Sequence, residues 1–254
     1  MQWAVSQGWL EAVMLAGVRM TAFVFIAPPF SYRAFPARVR AMLGIGLALA
    51  VSPVVAGTYA GGDPAAFLMA LLGELVIGSA LGLLVFVVFQ TVQSAGHLID
   101  IDGGFQLAMA FDPTGMVNGA QFTRLFQMLA IALLFASDGY QLVLLGLTRT
   151  FQAIPLGGSL DWSRLADALV SASSQLILSA LLIAGPLVIV LFLADVGLGL
   201  LTRVAPALNA FSMDFPLKIL LVLLFGGTVL LALPAVVSSL VERALDWMAG
   251  VTGG

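Results

Sequence analysis

The residues from about Pro64 to Gln93 form a nearly unbroken apolar run that contains one ionisable side chain, Glu74. As a helix this run would reach about 45 Å, whereas the hydrocarbon core of a bilayer is about 30 Å thick. We therefore predict a membrane helix that tilts, protrudes or packs beyond the bilayer. Glu74, Gly78 and Gly82 recur at four-residue intervals, and small residues at this spacing permit close helix approach. This stripe is expected to face protein and not lipid.

Composition extends this interpretation to the whole chain, which is 61% hydrophobic and 9% charged. A soluble domain averages roughly 45–50% apolar and about 25% charged residues, so we predict an integral membrane protein. The absence of cysteine and the single His97 exclude disulfides, a thiolate nucleophile and most zinc sites. With a net charge of −3, no nucleic-acid partner is expected. We expect no enzyme activity, no cofactor, and no catalytic or metal-ligating residue.

The N-terminal segment has no basic region before its apolar run and so predicts no cleavable signal. A first apolar helix, from about Leu10 to Phe30, carries Glu11 and Arg19 two turns apart, where they are expected to form an internal pair or an interfacial anchor. The loop 31–40 holds three of the ten basic residues and is predicted to be cytoplasmic.

Further apolar helices are predicted at about 41–56, 121–136, 140–147, 165–201 and 219–233. Ser137-Asp138-Gly139 predicts a break, and Gly185-Pro186 predicts a kink. Asp161 or Ser163 is expected to cap a short amphipathic surface helix, and another amphipathic tail is expected after Pro234. Six crossings counted from the basic loop would place both termini outside the cytoplasm.

The segment from Asp100 to Asn118 interrupts this pattern with glycines, a proline and three carboxylates. Gly103-Gly104 and Asp112-Pro113 break helices, the first by backbone freedom and the second by fixing φ. The segment also has more apolar bulk than a solvated linker needs, in Phe105, Leu107, Met109, Phe111, Met116 and Val117. It therefore predicts a loop held in a protein-lined cavity.

Several motifs along nearly the whole chain resemble the FliR family of the bacterial flagellar export apparatus, whose counterpart in virulence injectisomes is SctT. They are Arg19-Met20-Thr21, Ala27-Pro28-Pro29-Phe30, Phe35 to Arg40, Gly73 to Gly78 with Gly82, Ala95 to Asp100, Phe111-Asp112-Pro113, Leu133-Leu134-Phe135 with Asp138-Gly139, Phe151 to Gly157, Arg203 to Phe211 and Phe215 to Lys218. Their order and spacing carry the resemblance, and the most specific piece is the last pair.

The resemblance implies an all-α membrane protein of long kinked helical hairpins, packed with FliP and FliQ in a hetero-oligomeric export gate of the bacterial inner membrane. FlhB and FlhA would lie on its cytoplasmic side, and unfolded flagellar proteins would be its substrates. Hairpins at 1–99 and 119–254 would flank a loop at 100–118, of which residues 102–116 would plug the pore. Plug residues would be Asp102, Gly103, Gly104, Phe105, Met109, Phe111, Asp112, Pro113 and Met116. Residues for helix packing or subunit contact would be Glu74, Gly78, Gly82, Arg203, Pro206, Asn209, Phe211, Pro216 and Lys218.

Several residues keep two interpretations. Glu74 is either a carboxyl hydrogen-bonded to a neighbouring helix or a proton-coupling group, since ionisable groups in membranes are functional candidates. His97 is either a helix-end contact or a proton relay. Met109 and Met116 either pack or seal around polypeptide, and Arg203 with Lys218 either sets topology or contacts partners.

Three other functions have weaker support in the sequence. A virulence export gate is the near alternative, and the Phe-Pro-Leu-Lys ending of the last motif favours the flagellar branch. A secondary transporter binding a small solute at Glu74, Asp195 and the broken loop is less favoured, because such transporters have paired halves and no repeat is found. An intramembrane protease is disfavoured, because the chain has neither an HExxH motif nor a GxGD-type aspartyl pair.

Overall fold

The computed structural model describes residues 7–32, 35–57, 59, 63–105, 121–205 and 210–253, with the side chains of 210–212 excepted. This part of the chain is helical, which confirms the predicted class. Its seven helices are α1 Gln7–Ile26, α2 Ala37–Val55, α3 Pro64–Asp102, α4 Gln121–Ala136, α5 Gly139–Ala153, α6 Trp162–Val204 and α7 Ala210–Thr252.

Five of these helices, α1, α2, α3, α6 and α7, are long and apolar enough to cross a membrane. The bent pair α4 and α5 would provide a sixth span if it counts as one, and its two halves meet at 75°. The bend lies at Asp138, whose φ of 54° is left-handed. Aspartate tolerates this conformation better than most residues, because its short side chain bonds locally. The predicted break at Ser137-Asp138-Gly139 is therefore confirmed.

Several helix ends differ from the predictions. α5 continues beyond the predicted residue 147 to Ala153, and α7 begins at Ala210, before the predicted residue 219. α3 continues past Gln93 to Asp102, because the polar residues after Gln93 still form helix. The helix ends only where Gly103 follows. α7 runs through Pro216 and Pro234 to Thr252, so the predicted end at Pro234 and the separate amphipathic tail are wrong. Proline inside a membrane helix is tolerated where local adjustments satisfy the freed carbonyl.

The start of α6 also departs from the prediction of a separate surface helix, because one helix runs from Trp162 to Val204. Its predicted cap is confirmed. The Asp161 Oδ1 accepts hydrogen bonds from the Ser163 N–H at 3.0 Å, the Ser163 hydroxyl at 2.6 Å and the Arg164 N–H at 3.3 Å. These bonds, led by the one from the Ser163 hydroxyl, hold the pKa of Asp161 below its usual value.

The chain divides into two compact units. Unit 1 comprises Met1–Val88, Leu134–Ser173 and Ser239–Gly254, and unit 2 comprises Phe89–Leu133 and Ser174–Ser238. The long helices α3, α6 and α7 contribute to both. The division at 100–118 into hairpins and plug loop stays a prediction.

Within unit 1, α1 and α2 pack antiparallel along a line of small residues. Gly17 lies against Ala48 on this line, and one turn further on Gly44 lies against Thr21. Side chains this small let the two backbones approach closely, which is the usual basis of helix association in membranes. α3 packs against a different face of α1, where Gly78 lies against Arg19.

Candidate functional site

Arg19 of α1 and Glu74 of α3 form a buried ion pair in unit 1. Both side chains have 0% exposure. The Arg19 Nε donates to Glu74 Oε2 at 2.5 Å and Nη2 donates to Oε1 at 3.0 Å, so the pair is bidentate. Charge-assisted bidentate pairs are the strongest hydrogen bonds between side chains.

The remaining donors of Arg19 bond to the end of α5. Both terminal nitrogens donate to the Ile154 carbonyl at 3.0 Å, and Nη1 also lies 3.4 Å from the Thr150 carbonyl. The Phe151 ring centroid is 4.3 Å from the guanidinium carbon, within cation–π range. The last carbonyls of a helix carry partial negative charge, so this end attracts a cation.

Glu74 has one further partner, the Gly157 N–H, which donates to Oε1 at 3.0 Å. We call Arg19, Glu74, Thr150, Ile154 and Gly157 the Arg19–Glu74 cluster. It joins α1, α3 and the chain after α5, which are separated by 55 to 135 residues in sequence. The cluster therefore fixes the three segments to one another.

Close approach of α1 and α3 brings the pair into register. A Cβ added at Gly78 would overlap the Arg19 backbone carbonyl, and one added at Gly82 would lie 3.1 Å from the Phe23 carbonyl oxygen. Residues 19 and 23 of α1 thus face residues 78 and 82 of α3, and the two helices run parallel. The glycines remove the bulk that would otherwise separate the charged side chains.

The cluster has little capacity left for a ligand. Each N–H of the Arg19 guanidinium has an acceptor, and both Glu74 oxygens accept hydrogen bonds. A buried carboxylate that is paired in this way is structural in geometry and is closed to a transported solute. The predicted internal pair of Arg19 with Glu11 is wrong, because Arg19 pairs with Glu74, and Glu11 accepts a hydrogen bond from Gln7 at 3.1 Å.

A second buried carboxylate, Asp100, lies near the end of α3 in unit 2 and has 0% exposure. Its Oδ1 accepts from the Phe122 N–H at 2.9 Å, and its Oδ2 accepts from the Thr123 N–H at 2.7 Å and the Thr123 hydroxyl at 2.6 Å. Asp100 therefore caps the first turn of α4 from another helix. The sequence prediction missed this role, although Gly96, one turn earlier, offers a signal: its Cα faces the backbone of Phe122 and Thr123.

The start of the predicted plug lies just beyond this cap. α3 ends at Asp102, just before Gly103-Gly104, so residues 100–102 of the predicted loop belong to the helix. Gly104 has a φ of +75°. A Cβ added at Gly104 would lie 2.9 Å from the Phe215 ring. The Phe105 ring is 5.3 Å from the Phe122 ring, so Phe105, which is itself helical, packs on an aromatic cluster.

Part of the predicted site lies outside the described residues. This holds for the plug residues Met109, Phe111, Asp112, Pro113 and Met116, and for the contact residues Pro206 and Asn209. The side chain of Phe211 is also outside the described part.

Lys218 of α7 lies in unit 2 and joins α7 to α6. Its Nζ is 2.7 Å from Asp195 Oδ1 and 3.5 Å from Asp214 Oδ2. Arg203 and Pro216 are exposed, and so is His97. The structure therefore gives Lys218 an ion pair within the chain and leaves its predicted partner contact, and that of Arg203, as predictions.

Comparison with known proteins identifies the family. A family described as bacterial export proteins, family 1, matches residues 10–244. This chain belongs to that family. The matched range includes every residue of the Arg19–Glu74 cluster and the Asp100 cap.

Members from flagellar and virulence systems are both similar to the chain. The flagellar biosynthetic protein FliR of Pectobacterium carotovorum is 29% identical over 96% of this chain and 93% of its own length. FliR of Escherichia coli K12 is 32% identical over 83% of this chain and 81% of its own length. The Yop proteins translocation protein T of Yersinia pestis is 33% identical over 68% and 67%.

Membership in bacterial export protein family 1 establishes the broad class. The chain is a non-enzymatic export-apparatus protein of the FliR and SctT type, and its candidate spans agree with a place in the inner membrane. Three of the motifs that carry the sequence resemblance, around Arg19, Glu74 and Phe151, meet in the Arg19–Glu74 cluster.

Proposed function

We propose that this chain is the FliR-type subunit of a flagellar export gate, forming with FliP and FliQ the pore that passes unfolded flagellar proteins across the inner membrane. The observation that carries the flagellar assignment is the extent of the match. It spans 93% of the Pectobacterium FliR and 67% of the Yersinia virulence protein. FlhB and FlhA are expected to bind on the cytoplasmic side.

The lengths and exposed surfaces of the helices support assembly with other subunits. α6 and α7 have 43 residues each, which gives about 65 Å of helix against a hydrocarbon core of about 30 Å. Only 22% of the apolar window of each is buried within the chain. Helices that are more than twice as long as the hydrocarbon core is thick, and so little covered within the chain, support the proposal that partner subunits pack against them.

The same proposal makes residues 102–116 a plug in the pore. Its described end supports this role, because Gly104 in the left-handed region turns the chain away from α3 and Phe105 lies on the Phe122 ring. The loop would then present large apolar side chains to the passage and move aside when substrate enters. Gly103 and Gly104 would act as its hinge.

Deleting the gene in its native host tests the function. We expect loss of flagellar filaments and of swimming, restored by the wild-type gene on a plasmid. An affinity tag on this chain should recover FliP and FliQ from detergent extracts. Normal filaments together with loss of an injectisome's secreted proteins would assign the chain to the virulence branch instead.

The plug is tested separately by deleting Gly103 to Gly115. In cells that carry the deletion, ions should leak across the membrane, while FliP and FliQ should still co-purify with the shortened chain. A matched variant keeps the loop length and replaces four large side chains with serine, those of Phe105, Met109, Phe111 and Met116. It removes only side-chain bulk, and the membrane should leak ions with this variant as well. A tight membrane in both variants, with the complex intact, would exclude the plug.

A solute transporter is the weaker alternative. It needs Glu74 as a binding group, whereas Glu74 is fully buried and bonded to Arg19 and Gly157. A transporter would also purify alone or as a homo-oligomer, which the same tag experiment detects.

A further inference from the structure

A groove of about 610 Å³ lies between α1, α2 and α3 in unit 1. Its lining is apolar apart from two hydroxyls. The lining residues are Val13, Met14, Gly17, Val18, Thr21, Ala22, Phe25, Ile26, Ile45, Ala48, Leu71, Leu75 and Ser79. Met14, Ile45 and Leu75 are about half exposed and form its rim. The groove therefore opens to the surroundings of these helices.

The groove follows α1 from Val13 to Phe25, thirteen residues that rise about 18 Å along the helix axis. One leaflet of the hydrocarbon core is about 15 Å deep, so the groove has the length of one leaflet. A groove of this length accommodates an extended hydrocarbon chain.

One end of the groove carries a positive charge. The Arg40 guanidinium carbon lies 4.7 Å from the centroid of the Phe25 ring, which lines the groove. The Arg40 Nε is buried and has no hydrogen-bond partner among the described residues. Arg38 is exposed one half-turn earlier on α2. A buried guanidinium donor needs an acceptor, and a phosphate group, like a carboxylate, matches the geometry of the guanidinium.

From this geometry we infer that the groove binds an anionic phospholipid of the cytoplasmic leaflet. One acyl chain lies along α1 between Val13 and Phe25, and the headgroup phosphate accepts a hydrogen bond from Arg40. The basic loop 31–40 is predicted to be cytoplasmic, which places the charged end at the inner leaflet surface. This site is independent of the plug and of the choice between flagellar and virulence systems.

Native mass spectrometry of the full chain, purified in non-ionic detergent with the subunits that accompany it, tests the headgroup. Phosphatidylglycerol or phosphatidylcholine is added at equal concentration. Retention of phosphatidylglycerol should be about fivefold greater, the ratio that one Arg near an anionic lipid supplies. Arg40→Gln should make the two lipids equal. Arg164→Gln, an exposed charge on α6, is the control and should keep the ratio.

A bulky substitution that fills the groove tests the acyl-chain site. Ser79→Phe places a ring in the groove and should reduce retention of both lipids, whereas Leu72→Phe on the exposed face of the same helix should not. Equal binding of both lipids by the wild type, or full retention by Ser79→Phe, would overturn the assignment.

A photo-crosslinking amino acid in place of Ile45 tests what occupies the groove. Ile45 lies at the rim, so this substitution does not require neighbouring side chains to repack. Irradiation of cells should give a phospholipid adduct on this chain, and the yield of the adduct should fall when the chain also carries Ser79→Phe. A crosslink to a neighbouring subunit or to a second copy of this chain, with no lipid adduct, would show that protein fills the groove.

Discussion

Replacing one member of the Arg19–Glu74 pair should destabilise the chain strongly. In Glu74→Leu the buried Arg19 guanidinium loses its carboxylate partner and keeps its carbonyl partners. In Arg19→Met the buried Glu74 carboxylate keeps only the Gly157 N–H. Removing one partner of a buried ion pair costs about 3–5 kcal/mol. For a chain of this size that lowers the melting temperature by about 6–20 °C.

The double variant Arg19→Met with Glu74→Leu separates the effect of the ion pair from the effect of changed side-chain volume. Both charges are then absent, and the remaining cost is the unbonded Ile154 carbonyl and Gly157 N–H, about 1–3 kcal/mol each. The double variant should therefore be more stable than the sum of the singles by about 2 kcal/mol or more, a coupling at the upper end for contacting residues.

The assay is thermal melting of the purified chain in detergent, read as the fraction that elutes as a folded species after heating. Leu72→Ala is the control, because Leu72 is exposed on α3 and its truncation should stay within about 0.5 kcal/mol. If both single variants melt within 2 °C of the wild type (a threshold of about 1 kcal/mol), or if their effects add, Arg19 and Glu74 do not stabilise each other.

Three other substitutions follow from close contacts. Gly78→Ala should cost about 1–3 kcal/mol in the same melting assay because its Cβ meets the α1 backbone, whereas Gly73→Ala has open space and should not destabilise. Asp100→Ala should cost about 1–3 kcal/mol and speed amide hydrogen exchange in the first turn of α4; unchanged exchange would refute the cap. Gly104→Ala should cost at least about 1 kcal/mol because of its positive φ, with Gly227→Ala as the control, and equal melting of the two would contradict this.

The sequence predicted what depends on local pattern. Apolar runs set the membrane helices, Gly103-Gly104 ends α3, Asp161 caps α6, and Asp138 marks the bend between α4 and α5. These signals act within a few residues. The predicted stop at Pro234 failed because proline in a membrane helix is permitted when the surroundings satisfy its carbonyl.

The pairing of charges was beyond sequence reasoning. Eight residues separate Glu11 from Arg19, so a partner on the same helix face was the natural expectation, but the actual partner is 55 residues away. The bonds from Arg19 to Ile154 and from Gly157 to Glu74 span 135 and 83 residues. No periodicity encodes contacts between separate helices. The Gly78–Gly82 stripe indicated close packing but not the helix that packs there.

The Asp100 cap has a further consequence for the segment after it. Since Asp100 holds the N–H groups of Phe122 and Thr123, the two ends of the intervening stretch are fastened together by α3 and α4 themselves. Closing a loop between fixed ends costs only about 0.6 kcal/mol for each doubling of its length. Insertions or deletions in that stretch should therefore change the free energy of closing it only slightly, and the flanking helices should keep their register.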